Sequence, residues 1–196
     1  MPVSFFVIKS EYVTSSFEDK PVHINVTNIE EKIDPINGTS VLDVMQRTLD
    51  AVHDQRKKLK IPMFAHINHP NYGYGISTED IKQLNGERFF EVYNGHPSVN
   101  NEGDDMHVDT ETMWDLINIH YYKEGKPLIF GVATDDSHRY HSFSSKDSNS
   151  GRGWVMVKSK KLDTNNIISA MENGDFYSST GAVSYTHLTL PTNREV

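Results

Sequence analysis

The chain has 196 residues, with 19 Lys plus Arg against 27 Asp plus Glu, and a formal net charge of −8 when its ten histidines are neutral. An apolar content of 36% is enough for one domain with a buried core. No stretch has the unbroken apolar length of a membrane-spanning helix, and the acidic balance argues against a general nucleic-acid binder, which needs a basic face. With no cysteine in the chain, disulfides, zinc fingers, iron–sulfur clusters and thiol nucleophiles are excluded. A transition metal would have to be held by imidazole and carboxylate.

Residues 3–9, Val-Ser-Phe-Phe-Val-Ile-Lys, lack a signal-peptide pattern and read as a strand entered at once. Residues 22–27 read as a second strand. Pro35 and Asn37-Gly38 mark a loop. Ser40 then caps a helix of about twenty residues, whose stripe is Val41, Leu42, Met45, Leu49 and Val52. It closes on Arg56-Lys57-Lys58, charges suited to a helix C-terminus. A strand follows at 62–67, and a short helix from Ser77 to Leu84 with acids in its first turn. Residues 89–93 form a strand, 110–123 a helix, and 127–133 an apolar strand of the buried parallel kind. Residues 141–151 are Ser-rich and polar, a loop. The remaining elements are a strand at 153–159, a helix at 162–173 and a short strand at 176–178. Strands alternating with helices predict βαβ units and a parallel sheet, open or closed into a barrel. Residues 1–182 form the expected domain. Residues 183–196 resemble an in-frame translation of a sequencing adapter and are set apart as an artefactual tail, His187 included.

In such folds, sites gather where strands end, and the histidines follow that rule. His23 lies in the second strand, His66 and His69 close the third, Asn94 and His96 follow the fourth, and Asp135-Asp136-Ser137-His138 follows the fifth. Imidazole and carboxylate from four separate strands suit zinc, manganese or iron. Asp136 and His138, flanking Ser137, are the most specific pair, because one short loop presents both ligand types. Asp135 can equally be a loop-forming carboxylate. His53, His107 and His120 fall outside the pattern and receive no role, and His141 belongs to the polar loop.

The blocks Pro21-Val22-His23-Ile24-Asn25, His66-Ile67-Asn68-His69-Pro70, Phe90-Glu91-Val92-Tyr93-Asn94-Gly95-His96 and Thr134-Asp135-Asp136-Ser137-His138 together resemble the polymerase-and-histidinol-phosphatase family of metal-dependent phosphoesterases. Segments 151–154 and 174–181 also resemble late parts of such domains. The resemblance implies an α/β fold, a partial and distorted (β/α)7 TIM-like barrel, with two or three divalent metal ions at its mouth. It implies His23, His69, Asp136 and His138 as metal ligands. Asp135, Asp136 and His138 would be catalytic, and His66, Asn94, His96 and Arg139 would face substrate. Two departures stand out. The family's opening His-x-His motif is absent from the chain, so the intact protein is expected to extend further and this chain to bind metal weakly and turn over little or not at all. Tyr12 occupies the slot of a bridging glutamate, with Glu11 one residue away as a weaker ligand candidate, because adjacent strand residues face opposite sides.

The expected activity is phosphoester hydrolysis of a small phosphorylated substrate by metal-activated water. The alternatives are an amide or ester hydrolase on the same scaffold, and a degenerate barrel that binds a ligand without catalysis.

Overall fold

The computed structural model describes residues 5–181. The first ordered ladder is a hairpin of β1 (Ser10–Phe17) and β2 (Lys20–Thr27). Its two-residue turn is Glu18-Asp19, and Glu18 takes the left-handed conformation at φ 51°, the geometry that lets tight hairpin turns match strand twist. The expected strand at 3–9 is not formed over residues 5–9, which have no ladder partner. The ladder begins instead at Ser10, where β1 meets the end of β2.

Helix α1 (Val41–Leu59) begins where expected. Ser40 accepts the backbone N–H of Asp43 at 3.0 Å, and Lys60 ends the helix in the left-handed conformation. Val41, Val44, Met45, Leu49 and Val52 are all buried, and each such side chain contributes about 1.5–3 kcal/mol when fully covered. Next come β3 (Phe64–Ile67), a 3₁₀ turn (Tyr72–Tyr74), α2 (Thr78–Lys82), β4 (Phe89–Asn94), α3 (Thr110–Lys123) and β5 (Phe130–Thr134). Ser77 and Asp80 form a reciprocal capping box at the start of α2. The chain then makes β6 (Trp154–Val157), α4 (Thr164–Glu172) and β7 (Phe176–Ser179).

The expected barrel is not what forms. The five strands β1-β2-β3-β4-β5 lie in chain order in one mixed sheet, and β6 and β7 pair only with each other. Strand β2 runs antiparallel to β1 and to β3, while β3-β4 and β4-β5 are parallel. A barrel needs its last strand to close on its first. Here β1 and β5 stand at opposite edges. The βαβ expectation holds only for the β3-to-β5 half.

Strand alternation sorts the side chains onto two faces. One face carries Val13, Ile24, Val26, Ile67 and Phe90, packed with α1, Ile81 of α2, and Met113 and Ile117 of α3 into the main core. The opposite face is apolar at one end, where Phe64, Phe89 and Val132 meet Ile168 and Met171 of α4. Arg56 of α1 pairs with Glu172 of α4 beside that cluster. Towards the other end the same face carries Tyr12, His23, Asn25, His66 and Glu91. The register Asn25↔His66 sets β2 and β3 side by side there. Among the described residues no helix is long and apolar enough to cross a membrane. The adapter-like tail, residues 183–196, lies outside the described residues.

Candidate metal centre

Three side chains from distant segments meet at the polar end of this face. The Tyr12 hydroxyl is 2.7 Å from Nδ1 of His23 and 2.9 Å from Nε2 of His69, and the two ring nitrogens are 3.3 Å apart. The rings of His23 and His69 meet edge-on at 5.0 Å. In an apolar setting each ring nitrogen needs a partner. One hydroxyl can serve both, donating to one nitrogen and accepting N–H from the other. Burial and the neighbouring His69 lower the His23 imidazole to about 4, so it is neutral near pH 7. Burial, then the charges of Asp136 and Glu91, push the Tyr12 phenol upward, so it keeps its proton there.

Glu91 lies underneath, 1% exposed. Its Oε2 accepts the backbone N–H of His69 at 2.7 Å and the Asn94 amide at 2.9 Å, and its Oε1 accepts the Thr134 hydroxyl at 2.7 Å. Nε2 of His66 stands 3.4 Å from Oε1. Burial alone would raise the Glu91 carboxyl. The hydrogen bonds and charge of His66, with Asn94 and Thr134, outweigh it and hold the group below its ordinary value. Glu91 is therefore a buried anion that fixes the main chain of His69 and ties β4 to β5. Sequence reasoning gave it no role. The available signal was a carboxylate inside the apolar run Phe89-Phe90-Glu91-Val92, a residue type almost never buried without partners.

The loop after β5 supplies the rest. Asp136 adopts φ 47°, a region that non-glycine residues seldom occupy and that asparagine and aspartate tolerate best. Its Oδ2 is 3.3 Å from the Asn94 amide nitrogen, and its charge acts on Tyr12, His23 and His96. His138 donates from Nδ1 to the Asp136 carbonyl oxygen at 2.7 Å. That bond fixes the tautomer and leaves Nε2 with a lone pair, facing outward as ligand or base. The ring of His96 meets that of His138 edge-on at 5.3 Å. His96 accepts the Ser98 backbone N–H on Nδ1. Burial, ahead of the neighbouring imidazoles, lowers its pKa.

Two expected site residues are placed differently. Asp135 receives three backbone N–H groups, from Gly151 at 2.9 Å, Arg152 at 2.6 Å and Gly153 at 2.8 Å. Its carboxylate is committed to anchoring the 141–151 loop against β5. Gly153 is needed there, because a Cβ would sit 2.4 Å from the Thr134 carbonyl oxygen. Glu11 alternates with Tyr12 and so faces away from the histidines, towards Lys32, whose ammonium its charge reaches. Arg139 lines a cleft of about 530 Å³ with His96, His138, Lys146 and Asp147.

Among the described residues no three His, Asp or Glu side chains converge closely enough to hold a metal ion by themselves. The donor chemistry nevertheless fits a cation at the His23–His69 pair. Two donors about 2.0–2.1 Å from one tetrahedral zinc stand roughly 3.3–3.4 Å apart, the spacing these nitrogens show. Asp136 and Glu91 supply negative potential there. No family model, no curated protein and no solved structure matches the chain.

Proposed function

We propose that the protein is a divalent-metal-dependent hydrolase acting on phosphoesters, with His23 and His69 as the metal ligands, Asp136 supplying negative charge beside them and His138 as the acid–base group. The observation that supports this most directly is the 3.3 Å approach of two imidazole nitrogens, 46 residues apart in the chain, with the buried Glu91 and the half-buried Asp136 nearby. When bound, a zinc, manganese or iron ion supplies Lewis-acid activation of water and neutralises charge on a phosphoryl group.

The chain's own residues have separable tasks in this reading. Glu91 holds the His69 backbone at its positive φ, which sets the direction in which the side chain leaves the main chain. The Nε2 of His138 is positioned to exchange a proton with the nucleophile or leaving group. Arg139 and Lys146 offer positive charge in the cleft beside it, where a phosphate would lie. His66 and Asn94 are bound to Glu91 and stabilise the floor of the site rather than its mouth. Asp136 orients His138 through its backbone carbonyl.

A second reading is a ligand-binding domain without catalysis. It is favoured by one observation, that the Tyr12 hydroxyl already satisfies both imidazole nitrogens. Elemental analysis of purified protein together with p-nitrophenyl phosphate turnover separates the readings. Bound metal with turnover that a chelator abolishes supports the hydrolase. Metal without phosphoester turnover, but with turnover of an ester or amide, moves the substrate class. Absence of both leaves the binding domain.

A further inference from the structure

We propose that Tyr12 is itself a metal ligand, its phenolate joining His23 Nδ1 and His69 Nε2 in a three-donor site. This rests on the metal-centre reading above and extends it to a side chain that sequence reasoning treats as the loss of a ligand.

The argument is geometric first. The three donor atoms form a triangle with sides of 2.7, 2.9 and 3.3 Å. They come from β1, β2 and the loop after β3, so the sheet register holds them together. Thr14 is paired with His23 across the hairpin and Tyr12 with Asn25, which sets the tyrosine on the same face as His23 and one diagonal step away, within reach of a long side chain. Three donors on one side of a cation leave its other side open to water or substrate, as catalytic sites require. Among the described residues no other phenol hydrogen-bonds to this pair. The Tyr72 ring meets that of His69 edge-on, with centroids 5.1 Å apart.

Charge supports the same assignment. Two neutral imidazoles bring no charge, and a phenolate brings one negative charge. With Asp136 adjacent, the total offsets a divalent ion. The exchange balances: the Tyr12 O–H bond breaks, an oxygen–metal bond forms, and one proton passes to solvent. The imidazole N–H that faced the hydroxyl moves to the other ring nitrogen by tautomerisation, with no net change.

Cupric ion is the probe, because it binds nitrogen and oxygen donors most tightly in its series and a copper-bound phenolate absorbs visible light by charge transfer. The protein, freed of metal by chelator, is titrated with cupric ion while absorbance and proton release are followed. The expected result is one visible charge-transfer band saturating at one ion per chain, retained in Tyr72→Phe and lost in Tyr12→Phe. Tyr12→Phe removes one oxygen from a side chain that is 40% exposed, so the fold is kept. Its affinity should fall by about tenfold or more, since even outer partners of a metal site cost 10- to 100-fold. Stoichiometric copper binding without the band, and equal affinity in Tyr12→Phe, would overturn the tyrosine assignment and leave the histidine site standing. Copper binding no tighter than that of His23→Gln would overturn both.

Discussion

The backbone N–H of His69 is held by Glu91 Oε2 at 2.7 Å, across 22 residues of chain. His69 sits at φ 21°, at the edge of the left-handed region, and a residue in that conformation persists only when its surroundings fix it. Glu91→Ala removes that acceptor together with the partners of Asn94 and Thr134. The expected result is a loss of about 3 kcal/mol in urea unfolding, the scale of breaking a buried charged network. Zinc affinity should fall 10- to 100-fold with it. Glu91→Gln should recover most of the stability but only part of the affinity. Unchanged zinc affinity in Glu91→Ala would show that His69 does not depend on this anchor.

His138 should separate activity from stability. Its side chain is exposed, and its one hydrogen bond is local, to the Asp136 carbonyl. His138→Ala should therefore change unfolding free energy by less than about 0.5 kcal/mol. Phosphoester turnover should fall roughly 100-fold, the lower range for loss of a positioned acid–base group. Turnover equal to that of the parent protein would remove His138 from the chemistry.

Asp135 should behave in the opposite way. Its carboxylate gathers the N–H groups of residues 151–153, so Asp135→Ala frees three donors at once. We expect a destabilisation of about 2 kcal/mol, less than three fully buried losses because Gly151 is exposed. Hydrogen exchange should accelerate first at those three amides. Intact protection there, with lost activity, would return Asp135 to a chemical role.

The helices and the gathering of His23 and His69 at one end of the sheet are legible in the sequence, while strand direction is not. Ser40 and the 41–52 stripe state their helix locally, and so do Asp109 and the run from Thr110, where the cap bonds Thr112. The direction of β2 against β3 depends on which edges pair after the crossover through α1, and no residue in either strand encodes it. The alternation of Val22, Ile24 and Val26 with His23 and Asn25 marks two faces without saying what covers each. The commitment of Asp135 is equally invisible, since its donors lie 16 to 18 residues downstream and depend on Gly153 packing against Thr134. In the sequence Tyr12 reads only as a missing carboxylate. Its contact with both imidazoles needs the hairpin register, which the polar Ser and Thr residues of β1 do not announce.

Arg139 and Lys146 should set substrate affinity. Both line the cleft that holds His96 and His138, with the Asp147 carboxylate bonded to Ser144 at its rim. Replacing both by Gln should raise KM for p-nitrophenyl phosphate several-fold with little change in kcat, because the lost attraction acts on bound substrate and transition state alike. The dependence of KM on salt should weaken too. A fall in kcat at constant KM would place the phosphate elsewhere.

Glu87 gives the fold its own pH dependence, away from the candidate site. It is 3% exposed, its Oε1 accepts the N–H groups of Arg88 and Phe89, and its Oε2 has no partner among the described residues. Burial pushes its carboxyl up to about 8, against the opposing effect of those hydrogen bonds. Between the ordinary value of 4.5 and about 8, the unfolded chain is ionised at this position while the folded chain is protonated. The folded state therefore holds more protons, and stability falls as pH rises through that window, by up to about 1.4 kcal/mol per unit. Below the window both states are protonated, above it both are ionised, and the contribution is flat. Urea unfolding at pH 5 and pH 8.5 should show the parent protein losing a few kcal/mol between them. Glu87→Gln, which keeps an oxygen for the two backbone donors, should be the more stable protein at pH 8.5 and should lose most of this slope. A parent protein equally stable at both pH values would mean that water reaches Glu87 and that its carboxylate is ionised in the folded chain.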